Sequence, residues 1–178
     1  GFGESLLIHS MIGLSPWLVL AEGIAINLNW SIGFATFACS VVVLLMWLPL
    51  KQQPGVGTIL NIIIIAGTID MSMYLFDFST TSYFTNLLVS SLGVILVGLG
   101  SGIYLIANLG PGTRDGLMTG LSKKYTKPIS LVRLSIELSV IFLGWSLGGT
   151  LGIGTVIFAV FIGPSVVLSL RVISFLNK

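Results

Sequence analysis

The sequence predicts an all-α membrane protein: a polytopic helical bundle of two inverted three-helix repeats, each with a short half-helix, and with its first span truncated. Three observations predict it. The chain is 54% hydrophobic and 8% charged, against about 25% charged in a soluble domain. With a mean hydropathy of +1.06, its exterior is suited to lipid rather than water. Five stretches reach the length of a membrane span, and one ungapped offset of 97 positions superposes the two halves of the chain.

A hydrocarbon core of about 30 Å needs about 20 apolar residues in a helix. Residues 1–12 are apolar but too short. Residues 31–50, 55–76, 84–108, 129–148 and 152–176 qualify. Between them lie two shorter stretches, 15–28 and 113–125, opened by Gly13-Leu-Ser-Pro-Trp17 and Gly110-Pro-Gly-Thr-Arg-Asp-Gly116. Gly and Pro set a turn, and a helix is expected to follow. Ser15 before Pro16 fits an N-cap and N1 pair, and Thr113 is a second candidate cap. Both stretches are too short and polar to span, so they are expected to be half-helices, re-entrant or interfacial.

The offset pairs Gly1, Gly3 and Gly13 with Gly98, Gly100 and Gly110, and Gly55-Val-Gly-Thr58 with Gly152-Ile-Gly-Thr155. It divides the chain into repeat one, residues 1–80, and repeat two, residues 81–178. It also predicts roughly 14 residues of a first span ahead of Gly1, by matching the span that starts near Phe84. Three spans per copy is odd, so the copies should cross in opposite senses, as transporter repeats do. With the start of the chain inside, Lys51, Lys123, Lys124, Lys127, Arg171 and Lys178 fall on the inner side. The outer loops 27–30, 77–83 and 148–151 carry neither Lys nor Arg. This satisfies the positive-inside rule and leaves the C-terminus cytoplasmic.

Polar residues inside such a chain are the candidates for function. Arg133 and Glu137 share a face at i, i+4 spacing, suited to an ion pair. Thr36 and Ser40 stand at the matching positions of the first copy, so the charge occurs only once. Arg133, Glu137 and Glu22 are the expected coupling or gating residues, with Glu137 the proton- or cation-sensitive one. A helix N-terminus offers free N–H groups and partial positive charge. Arg114 there could hold a carboxylate or phosphate, and Asp115 an amine or a proton. Gly112 lets backbone approach a ligand. Ser15, Trp17 and Asn61 complete the expected substrate-binding set.

Several patterns carry no chemistry. Gly98-x-Gly-x-Gly102 lies inside an apolar span and reads as close helix packing. One cysteine, Cys39, cannot form an internal disulfide. No catalytic set, metal-ligand cluster or cofactor motif is present, so neither an enzyme nor a metal or cofactor protein is expected. The net charge of +2 does not suggest nucleic acid. The expected partners are the lipid bilayer and a small solute of unknown identity; self-association is left open.

Several motifs resemble the YczE-like bacterial membrane proteins of the broader YczE/YyaS/YitT group. They are Gly13-Leu-Ser-Pro-Trp17, Pro54-Gly-Val-Gly-Thr58, Gly112-Thr-Arg-Asp-Gly-Leu-Met118, Val132-Arg-Leu-Ser-Ile-Glu137 and Gly144-Trp-Ser-Leu-Gly-Gly149. Gly152-Ile-Gly-Thr155 and Ile162-Gly-Pro164 extend the resemblance over nearly the whole chain. It implies a bacterial inner-membrane location, this fold and, less directly, a permease. Members begin with a basic N-terminus and a full first span, which this chain lacks, in line with the predicted truncation. The expected function is secondary transport of a small polar or charged solute. The alternatives are a channel-like pore, or an accessory protein of a biosynthetic or secretion system.

Overall fold

The computed structural model describes residues 1–76 and 82–176. Most of the outer loop expected at 77–83, and Lys178, lie outside the described residues. The described residues form eight α-helices and no strand: α1 (Phe2–Ser10), α2 (Pro16–Leu28), α3 (Ile32–Leu45), α4 (Val56–Leu75), α5 (Tyr83–Ala107), α6 (Thr113–Tyr125), α7 (Ile129–Ser146) and α8 (Ile153–Leu176).

Five segments are long and apolar enough to cross a bilayer: Ile32–Leu50, Val56–Leu75, Tyr83–Ala107, Ile129–Ser146 and Ile153–Phe175. Only 11% to 33% of the most apolar stretch of each is buried. Their remaining surface carries large apolar side chains such as Val42, Ile63, Leu92, Phe142 and Val156. An apolar exterior of that extent is stable against lipid, not water. The protein is a polytopic helical membrane protein.

Element boundaries follow local chemistry. The span expected as one helix over 31–50 leaves α geometry after Leu45 and closes in a 3-10 turn at Leu48–Leu50. Pro49 lies in that turn; it has no N–H to donate and its ring clashes with the preceding turn. α7 ends at Ser146 rather than 148, and Gly148 takes φ +96° just beyond it, a conformation that favours glycine. The cap expected at Thr113 is displaced by one residue: Gly112 is the N-cap of α6 and Thr113 is its first helical residue. Ser15 does occupy the N-cap of α2, but its side chain makes no capping bond.

Elements 97 positions apart begin together and are closed by the same conformations. α2 and α6 are both 13 residues long, from Pro16 and from Thr113. α3 and α7 start at Ile32 and Ile129, and α4 and α8 at Val56 and Ile153. Left-handed residues recur at Met11 and Asn108, at Asn29 and Thr126, and at Gly13 and Gly110. Contacts between the halves are reciprocal. The Gly57 N–H donates to the Leu109 carbonyl at 2.9 Å, and the Gly154 N–H to the Ile12 carbonyl at 2.8 Å. The start of each long helix thus supplies a donor to the turn that precedes a short helix in the other half.

The two halves are not identical in packing. α2 lies close along α7 because Gly144 leaves no room for a Cβ against the Val19–Leu20 backbone, and Gly23 none against the Gly144 carbonyl. At the equivalent place in the other half, Trp47 stands where α7 has Gly144. Its ring fills the space beside Gly116, and its indole N–H donates to the Thr113 carbonyl at 2.9 Å. The indole therefore spaces α3 from α6. One apolar cluster joins Leu7, Leu18, Ala35, Ile69, Val94 and Phe158; a second joins Trp17, Val43, Trp47, Leu117 and Val140. The expected close packing at Gly98 and Gly102 is present against Ser165 and Ser169 of α8.

Candidate functional site

Two short helices that start inside a bundle must place their N-terminal N–H groups somewhere. Here the first turns of α2 and α6 come together. The guanidinium of Arg114 stands 5.2 Å from the centre of the Trp17 ring, a cation–π distance. Trp17 and Arg114 are the second residues of their helices. Trp17 is 7% exposed and belongs to the second core cluster. Its indole nitrogen is buried without a hydrogen-bond partner among the described residues. Arg114 is partly buried and has no ion pair among the described residues.

A residue not singled out in the sequence completes this centre. Glu4 of α1 is 8% exposed. Both its carboxylate oxygens face the Ser15 hydroxyl, which donates at 2.9 Å and 3.2 Å. This is why Ser15 does not cap α2: its side chain is turned toward Glu4. Glu4 is also the carboxylate that acts most strongly on Arg114, ahead of Asp115 and Glu137. It was hidden because residues 1–12 read as the remnant of a span. The available signal was an acid in an otherwise apolar run, aligned by the offset with polar Ser101.

Charge continues from there toward α7. Arg133 Nε and Glu137 Oε1 form the expected ion pair at 2.8 Å, with side chains 51% and 23% exposed. Asp115 feels Arg133 first and Arg114 second. Of these charged groups, Arg133 and Glu137 alone are joined by an ion pair among the described residues. Asp115 itself is exposed, and its carboxylate lies close to Gly112.

The remaining candidates lie apart from this line. Asn61, on α4, is partly buried, and its side chain makes no hydrogen bond among the described residues. The buried face of α4 is carried instead by Thr58, Ile62, Ala66, Ile69 and Ser72. Thr58 donates to the Pro111 carbonyl at 2.7 Å, tying α4 to the turn before α6. The Glu22 carboxylate accepts the Thr150 backbone N–H ahead of α8. Asn27 in the same helix donates to the Leu147 carbonyl at 2.7 Å. Glu22 is thus engaged in holding a loop, not in the Arg114 centre. His9 is held between the Ser5 and Phe76 carbonyls, 2.8 Å from each.

Fold and site together define a class: a multi-spanning helical membrane protein with two short helices whose second residues, Trp17 and Arg114, come within 5.2 Å of each other. The chain belongs to DUF6198, a family of unknown function whose profile matches residues 1–171. It is similar to an uncharacterized protein of Haemophilus influenzae, with 42% identity over 174 residues, 98% of this chain and 79% of that one. It is also similar to the uncharacterized membrane protein YczE of Bacillus subtilis, with 32% identity over 164 residues, 91% of this chain and 76% of that protein. Similarity to YyaS of the same organism is 27% over 159 residues, 87% of this chain and 79% of that protein. The resemblance to the YczE-like group is thereby established. No solved structure matches the chain.

Proposed function

We propose that the chain is a permease, not an enzyme, that carries a small anionic solute across the bacterial inner membrane. The observation that carries this reading is Arg114, a guanidinium with no ion pair among the described residues, set over Trp17 where the two short helices begin. Each helix start adds roughly half a unit of positive charge. Helix ends that meet inside a bundle are where transporters hold their solutes. Arg114 supplies a planar fork for a carboxylate or similar oxyanion, Gly112 admits it to the α6 backbone, and Trp17 walls it. Arg133 and Glu137 form a gate on the inner side.

The two halves act as an inverted repeat, with the C-terminus cytoplasmic. Lys51, Lys123 and Lys124 line one depression together with Leu50 and Gly120. The equivalent place in the other half, where Asn27 meets Leu147, carries no Lys or Arg. Equivalent surfaces that differ so in charge fit opposite sides of a membrane. A channel would set like residues against each other at the meeting point; tryptophan opposite arginine is unlike.

The test is a thermal-shift screen of the purified chain in detergent with small anions and cations, followed by uptake of any stabilising solute into proteoliposomes. At least one anion should stabilise the protein, and Arg114→Gln should remove that shift. Stabilisation by cations alone, or an anion shift that survives Arg114→Gln, would overturn the assignment.

A further inference from the structure

Two indoles belong to the second core cluster, and they differ in one respect. Trp47 is 1% exposed, and its N–H donates to the Thr113 carbonyl at 2.9 Å. Trp17 is 7% exposed, and its N–H meets no acceptor among the described residues. A buried donor without an acceptor costs more than a typical hydrogen bond returns, so folded chains rarely keep one. An indole nitrogen only donates, so only an acceptor can relieve it. The side chains around it supply none: Val43, Leu117 and Val140 of the cluster are apolar. The Ser15 hydroxyl, at the start of the same helix, is turned to Glu4.

What stands beside this indole is a second group that can only donate. The guanidinium of Arg114 is 5.2 Å from the centre of the Trp17 ring. The indole nitrogen is an atom of that ring, so it lies no more than a ring radius farther from the guanidinium carbon. Arg114 has no ion pair among the described residues. Its N–H groups form a planar fork that accepts nothing. Two donors of this kind, set together in the first turns of α2 and α6, call for a ligand that brings acceptors to both.

We propose that the Trp17 indole N–H is a hydrogen-bond donor to the solute, and that the solute is an organic oxyanion with at least two acceptor oxygens, one facing Arg114 and one facing Trp17 Nε1. The inference rests on the anion-binding reading above and narrows its substrate class. There Trp17 is a wall; here it selects. Carboxylates, sulfonates and phosphonates meet the requirement. A halide has one atom to offer two donors that belong to different side chains, so it should bind more weakly than an oxyanion of the same charge. The discrimination comes from the indole: a solute without the second acceptor leaves a buried N–H unpaired. A hydrogen bond to a charged oxygen is also the stronger kind.

The experiment is NMR of the indole N–H signals of the chain in detergent, with isotope-labelled tryptophan, as sodium methanesulfonate, benzenesulfonate or chloride is added. Binding of each probe is followed in parallel by thermal shift. The chain has four tryptophans. Trp30→Phe and Trp145→Phe, at exposed positions, identify two of the signals. Of the other two, the bonded proton of Trp47 lies downfield of that of Trp17. Both sulfonates should move the Trp17 proton downfield, as a new hydrogen bond does, and leave the Trp47 proton in place. Arg114→Gln should abolish the movement. Trp17→Phe keeps an aromatic face beneath the guanidinium and should lose about tenfold to a hundredfold in sulfonate affinity. The wild-type spectra decide the matter even if that variant does not fold. Sulfonate binding that leaves the Trp17 proton unmoved, undiminished sulfonate affinity in Trp17→Phe, or chloride bound as tightly as the sulfonates overturns this inference alone. Failure of every probe to bind overturns the anion site, and this inference with it.

Discussion

Trp17 and Arg114 are 97 positions apart and occupy the same place in their respective helices, yet in the folded chain the guanidinium of one sits 5.2 Å above the ring of the other. Beside Trp17, the Ser15 hydroxyl at the start of α2 donates to the Glu4 carboxylate of α1 at 2.9 Å.

Arg114 and Glu4 should therefore be energetically coupled. Arg114→Gln leaves a buried carboxylate without its cation and should lower stability by about 1–3 kcal/mol. Adding Glu4→Gln should restore most of that loss without restoring anion binding. Denaturation of the two single variants and the double variant decides it, and strictly additive effects would mean the pair does not interact.

Helix contact should be sensitive to a single methyl group where glycines carry it. Gly144→Ala places a Cβ against the Val19–Leu20 backbone and should cost about 1–3 kcal/mol. Gly67→Ala and Gly163→Ala meet nothing within 4 Å and should be neutral or stabilise by up to about 1 kcal/mol. Melting temperatures in one detergent rank the three, and equal effects would contradict the close α2–α7 approach.

Asp70 and Glu22 should prove to be caps. Asp70 accepts the Gly33 N–H at 2.8 Å and the Ser31 hydroxyl at 2.6 Å, closing the start of α3 from a different helix. Asp70→Ala should cost about 0.5–2 kcal/mol. Glu22→Ala should speed amide exchange around Thr150. Neither should alter anion affinity; a tenfold loss in either would bring that residue into the site.

The Arg133–Glu137 pair should matter more to passage than to stability. Both residues belong to α7, so the pair ties no two helices together, and Glu137→Gln should change stability by less than about 0.5 kcal/mol. Solute uptake should nonetheless fall several-fold, with the protein still in the membrane. Undiminished uptake would leave the pair a surface staple.

Much of this was legible in the sequence because it is local. Spans follow from apolar length, and the two breaks from Gly and Pro at residues 13–16 and 110–112. The i, i+4 pair of Arg133 and Glu137 needs only helical geometry. The occupation of Glu4, Glu22 and Asp70 was not legible. In an apolar sequence each of these acids looks alike, and its role depends on which donor or cation arrives from a distant element. Thr150 reaches Glu22 across 128 positions, Ser31 reaches Asp70 across 39, and Arg114 faces Glu4 from the other half of the chain. Sequence by itself determined the solvent, the helices and their interruptions, since these depend on neighbours along the chain. Tertiary structure decided which acids are caps and which one is left facing an arginine, because a hydrogen bond acts over about 3 Å and only folding brings its partners that close.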